Sequence, residues 1–116
     1  MEKKRCSHGC ALFQNNLEIV VAGGVSAGWA LTNTMEIYNI ASDEWRTGTP
    51  LPPDMNMGWS YVSHENTLWI IGAGEDMVYR YSENEEQWDH MNGIKTSGIL
   101  PHSTVLLEVD DTLKCR

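Results

Sequence analysis

"EIVVAGGVSAGWALTNTMEIYNIASDEW" occupies Glu18–Trp45, and "TLWIIGAGEDMVYRYSENEEQW" occupies Thr67–Trp88. Each reads as an apolar run, then glycines, then a tyrosine and a tryptophan with six residues between them. Tyr38 to Tyr81 is 43 residues, and so is Trp45 to Trp88. The apolar runs align at a spacing of 50, Val20-Val21-Ala22-Gly23-Gly24 over Ile70-Ile71-Gly72-Ala73-Gly74. The difference falls in one loop, fourteen residues from Gly24 to Tyr38 against seven from Gly74 to Tyr81. Stacked repeats tolerate an insertion confined to one loop, so the chain reads as a repeat.

Around these stretches the pattern is short apolar or alternating runs separated by polar turns, with no helical period beyond two turns. Turns are expected at Asn15-Asn16, Ser42-Asp43, Glu65-Asn66, Asn84-Glu85 and Asp110-Asp111, where the residue types suit tight hairpins. They join expected strands near 10–14, 17–22, 34–40, 44–47, 59–64, 67–72, 76–82, 87–91 and 103–109. Frequent turns between short strands indicate an all-β chain. A two-residue turn at Ala41-Ser42 sets Tyr38 opposite Trp45, and one at Asn84-Glu85 sets Tyr81 opposite Trp88. Consecutive rather than alternating apolar residues in "EIVVAGG" and "LWIIGAG" suit strands covered on both faces.

Composition sets the bounds. The 116 residues are 41% hydrophobic and include five tryptophans, which argues for a packed core rather than disorder. Net charge is −8; residues 1–5 hold three basic residues and one acidic, which leaves −10 on the rest. Such a surface repels phosphate backbones, so nucleic acid is not an expected partner. No apolar stretch nears the ~20 residues of a spanning helix, and no membrane association is expected. Three cysteines do not make a disulfide framework, and an intracellular, cytoplasmic setting is the expectation.

The order of apolar strand, Gly23-Gly24, Tyr38 and Trp45 resembles the kelch repeat, one four-stranded blade of a β-propeller. The second unit departs with Gly72-Ala73-Gly74 in place of the doublet but keeps Tyr81 and Trp88. "STVLLEVDDTLK" is similar to the opening hairpin of a third unit. The resemblance implies antiparallel kelch blades in a partial β-propeller. It divides the chain into a leader (1–6), a first repeat (7–50), a second (51–95) and the start of a third (96–116). Repeat-defining residues are Gly23, Gly24, Tyr38, Trp45, Gly72, Gly74, Tyr81 and Trp88. A ring needs about 4–8 blades, so closure is expected to require further blades in a longer parent chain or self-association. A fragment is the favoured expectation, because the sequence stops inside a hairpin.

Several motifs suggest chemistry without the context it needs. "GVSAG" (Gly24–Gly28) matches a nucleophile elbow, but that elbow requires a strand leading into a helix, and Ser26 enters a polar loop. The Gly72-Ala73-Gly74 run followed by Glu75 and Asp76 lacks the third glycine and the helix of a phosphate site. Cys6, His8 and Cys10 alternate and would share one face of a strand, but a fourth nearby ligand is missing. The alternative is a frayed leader before a buried Cys10. His64, His90 and His102 are expected at turns or strand ends. Glu85-Glu86 and Asp110-Asp111 sit in turns, where solvated charge is ordinary. No catalytic residue, metal or cofactor is therefore expected.

The loops offer more. The loop after the glycines carries Val25, Ser26 and Trp29, the inter-blade loop carries Met55, Asn56 and Met57, and Glu75 follows the second glycine run. The resemblance implies that such loops form one rim of a propeller and bind partner proteins. An exposed tryptophan near flexible methionines suits a hot spot; alternatively Trp29 folds back as a lid on its own blade. The expected function is a non-catalytic protein-interaction module, by family resemblance a ubiquitin ligase adaptor or an actin-binding scaffold. The alternatives are a piece of a galactose-oxidase-like copper enzyme, or a two-blade unit that closes a ring with copies of itself.

Overall fold

The computed structural model describes residues 1–15, 17–53, 60–72, 77–82 and 84–94. The expected third unit (96–116), Gly74, Met55, Asn56, Met57 and Glu75 lie outside these residues, as do His102 and the strand near 103–109.

Two four-stranded antiparallel sheets follow one another along the chain. The first joins β2 (Gly9–Phe13), β3 (Glu18–Ala22), β6 (Met35–Asn39) and β7 (Glu44–Thr47) in that spatial order. The second joins β8 (Ser60–His64), β9 (Thr67–Ile71), β10 (Val78–Ser82) and β11 (Gln87–His90). Each is a meander whose strands neighbour in chain order, the layout of a propeller blade. The eight strands match the expected ones to within about two residues. A third, small sheet was not expected. It pairs β1 (Arg5–Cys6) with β4 (Val25–Ser26), and β4 with β5 (Ala30–Leu31).

Turn chemistry sets the hairpins. Between His64 and Thr67 only Glu65 and Asn66 intervene, both left-handed (φ 47° and 60°), the type I′ geometry whose twist matches that of paired strands. The outer hairpins of the two blades use four-residue loops rather than the expected two-residue turns, with the register unchanged because the loops share the same centres, and each ends on a left-handed residue, Asp43 (φ 57°) or Glu86 (φ 49°). Asp43 and Glu86 are also 43 residues apart, so the repeat extends to backbone conformation.

The aromatic register is as the sequence reading has it: Tyr38 pairs with Trp45 and Tyr81 with Trp88, with ring centroids 5.0 Å apart in both. The alignment of the glycine-ended strands needs correction. Gly23 N donates to Thr34 O (3.1 Å) and Gly72 N donates to Met77 O (2.7 Å), so Gly72 stands where Gly23 does, not where Ala22 does. The spacing there is 49, not 50. A shift of one residue exchanges the two faces of a strand, and only 49 lays the two Tyr–Trp pairs on equivalent faces. The error arose because Gly72-Ala73-Gly74 offers two glycines, and the sequence alone does not say which one closes the strand.

With faces matched, the stacking is head to tail. The aromatic face of the second blade lies against the far face of the first. Phe13 meets Tyr81 edge-on at 6.1 Å, and the Trp88 indole N–H donates to Thr49 O (3.4 Å). Tyr61 reaches the Ala22 carbonyl (3.5 Å), and its burial pushes the phenol pKa far up, an effect that the nearby Arg5 charge only partly offsets. Phe13, Val20, Ala22, Met35, Ile37, Leu51, Tyr61, Leu68, Ile70 and Tyr81 form one core spanning both blades. The equivalent aromatic face of the first blade, with Tyr38 and Trp45, is half-buried, and Leu12 on the same side is 47% exposed. On the outer side of the second blade, Val62, His64, Trp69, Ile71, Val78 and Ile94 line an apolar groove. Ile94 lies 43 residues after Leu51, which is buried in the core between the blades.

Candidate interaction surface

The chain leaves β3 at Gly23 and returns to the sheet at Thr34; the excursion between them carries three of the expected rim residues. Val25 and Ser26 form β4, a single 3-10 turn covers Ala27–Trp29, and Ala30–Leu31 runs back as β5. Thr32 N donates to Gly24 O (3.0 Å), closing the loop at its foot, and the Ser26 hydroxyl donates to Ala30 O (3.1 Å) across the turn. Ser26 is thus followed by one tight turn and another strand, not by the helix a nucleophile elbow requires.

Trp29 stands 88% exposed at the tip, so it is not a lid on its own blade. Its backbone is left-handed (φ 61°), which is costly for a bulky side chain and turns the indole outward. Leu31 is 51% exposed two residues on, giving the loop a second apolar contact that the sequence reading passed over. Its signal was present: Leu31 is the one large aliphatic residue between Trp29 and the polar "TNT" that leads back to the sheet.

The leader is part of this surface, contrary to the frayed strand expected. Arg5 pairs with Ser26 and Cys6 with Val25. Gly24 lies beneath the leader backbone: a Cβ there would fall 2.5 Å from Cys6 O, and its φ of +92° also requires glycine. A left-handed Ser7 (φ 52°) separates β1 from β2. Cys6 and Cys10 therefore belong to different sheets, which removes the shared face proposed for Cys6, His8 and Cys10. Cys10 is exposed, not buried.

The Arg5 side chain has no solvent exposure. Its guanidinium donates to Gly23 O (3.1 Å), Thr34 O (2.8 Å), the Thr34 hydroxyl (3.0 Å) and Glu36 Oε2 (2.6 Å). The Glu36 carboxylate also accepts from the backbone N–H groups of Glu2 and Lys3. Burial pushes the Glu36 carboxyl pKa up, but the two amides and Arg5 outweigh it and hold the group below its ordinary value. Sequence pattern gave no sign of this pair, which links residues 31 positions apart.

His90 stacks on Tyr79 (5.0 Å) and meets Asn92 through Nδ1 (2.8 Å). His64 lines the groove of the second blade. Among the described residues no three His, Cys, Asp or Glu side chains gather as a metal site would require, and no helix is long and apolar enough to cross a membrane.

A family model described as the kelch motif matches residues 4–52, which includes β1 and the whole first blade. Beta-scruin of Limulus polyphemus is 32% identical over 73 residues, which is 63% of this chain and 8% of that protein. Kelch-like protein 40 is 30% identical over 86 residues in Xenopus tropicalis and 31% in Xenopus laevis, covering 62% of this chain and 14% of each relative. The chain thus spans under a sixth of the length of these relatives.

Proposed function

Because residues 4–52 match the kelch motif and the relatives it resembles are kelch proteins, we propose that the chain acts as a non-catalytic protein-interaction module whose contact surface is the loop carrying Val25, Ser26, Trp29 and Leu31. One observation carries the reading: a tryptophan is held almost wholly in solvent, on a left-handed backbone, by a loop anchored at both ends. Burying such a side chain against a partner recovers apolar area that the chain itself leaves unused. Met55, Asn56, Met57 and Glu75 are proposed as further contacts on the same rim. Proteins are the fitting partners, since the net charge of −8 disfavours nucleic acid. An adaptor in a ubiquitin ligase and an actin-binding scaffold are the two roles proposed for the longer assembly, in an intracellular setting.

The test is retention from a cell extract on the immobilised chain, comparing wild type with Trp29→Ala/Leu31→Ser by quantitative mass spectrometry. A discrete set of proteins held by wild type and lost from the variant supports the reading. Identical sets, or none, would sink it.

A further inference from the structure

We propose that Asn92-Gly93, where the chain leaves the second blade, is a self-modifying site: Asn92 deamidates through a succinimide, with His90 as the assisting donor. Asn92 is the only asparagine in the sequence that precedes a glycine, and it is exposed. Gly93 is left-handed (φ +83°), and a Cβ built there would meet no described atom within 4 Å, so no side chain hinders the approach of its nitrogen. His90 Nδ1 lies 2.8 Å from Asn92 Oδ1. A carbonyl oxygen only accepts, so Nδ1 carries the proton of this bond. Its donation draws electron density from Cγ and steadies the negative charge that grows on Oδ1 when the carbonyl is attacked. The Tyr79 ring, 5.0 Å from the imidazole, supports the donor from one side.

The step involves no oxidant or reductant. Gly93 N gives up its proton to solvent and forms a bond to Asn92 Cγ. The Cγ–Nδ2 bond breaks, and Nδ2 takes up a proton and leaves as ammonia. Water then opens the ring at either carbonyl, giving aspartate or isoaspartate. The first repeat lacks this chemistry at the same place. Gly48 N donates to Met35 O and Met91 N to Val78 O (2.8 Å in both), which sets Asn92 over Thr49 and Gly93 over Pro50. Threonine has no side-chain amide, and proline has no N–H to become a nucleophile. The consequence falls on Ile94, which lines the apolar groove of the second blade. Isoaspartate adds a methylene to the backbone leading to it, so the modification changes how the chain leaves that blade.

Incubating the 116-residue chain at neutral pH, then mapping its peptides by mass spectrometry, tests the assignment. Wild type is compared with His90→Phe, each folded and in urea. Phenylalanine keeps a ring against Tyr79 but has no proton to donate. Asn92 is expected to convert, with isoaspartate exceeding aspartate. Asn33, Asn39 and Asn66, whose side chains are hydrogen-bonded, should stay amidated. His90→Phe is expected to slow conversion in the folded chain about threefold or more and to leave the rate in urea unchanged. His90→Ala, at the same exposed position, should give the same result. An intact Asn92, or equal rates for wild type and both variants when folded, would overturn the proposal. So would equal slowing in urea, because the effect would then belong to the local sequence and not to the folded contact.

Discussion

The ring of Tyr61 occupies the space a side chain at Gly9 would need: a Cβ built on Gly9 falls 1.6 Å from Tyr61 Cε2. Gly9 opens the first blade and Tyr61 sits in the first strand of the second, so this contact sets how closely the blades approach. Gly9→Ala is expected to destabilise the chain by about 1–3 kcal/mol through overpacking. Denaturant unfolding checks it, with Tyr61→Ala and the double variant completing a cycle. Removing the ring relieves the clash, so the two changes together should cost clearly less than the sum of each alone.

The two Tyr–Trp pairs share geometry but not surroundings. Tyr81 is 8% exposed and packs on Phe13, whereas Tyr38 is half-buried and meets Asp43 through its hydroxyl. Tyr81→Ala should therefore cost about 3–5 kcal/mol, the range for deleting a large core aromatic. Tyr38→Ala should cost about 1 kcal/mol or less, the worth of a cross-strand pair. Unfolding midpoints of the two variants decide the matter, and equal losses would show that the open face of the first blade is covered in solution.

Glu36 gives stability a pH dependence of known sign. Its folded-state pKa lies below the ordinary value of 4.5, so its contribution is complete above that value and is lost as pH falls through the folded one. Melting temperature measured from pH 7 downward should fall in the acid range. Glu36→Gln should melt lower at neutral pH and show a shallower acid decline. Parallel curves for variant and wild type would assign the acid loss to other carboxylates.

Glu65 is left-handed at the first position of a type I′ turn, a conformation that suits asparagine and glycine better than glutamate. Glu65→Asn is expected to raise stability by about 0.5–1 kcal/mol, read as an upward shift in denaturant midpoint. The neighbouring Asn66 should be left intact, because its side chain bonds Asn15 N and Gln14 Oε1 across the blades.

The blades were legible in the sequence because their signals are local. The spacing of Tyr38 to Trp45, with turn residues between, is enough to define a register, and the structure repeats it at Tyr81 and Trp88. The glycine alignment slipped by one because two glycines flank Ala73 and only a hydrogen bond, Gly72 N to Met77 O, distinguishes them. The small sheet was invisible for a different reason. Its strands are two residues long, and what secures them is one arginine bonded to residues 18 to 31 positions away, which no periodicity records. Trp29 was found as a candidate because of its residue type and loop position; its left-handed backbone was not readable.

The bond from Glu2 N to the Glu36 carboxylate has a practical corollary for anyone handling the protein. The amino terminus already lies at the foot of the Trp29 loop, so an affinity tag, fluorophore or bead joined to Met1 would crowd the surface under test and compete for Glu36. Leaving Met1 free removes that crowding, and a binding difference between chains with and without a group joined there would itself be a ruler for how near the leader stands to whatever docks there.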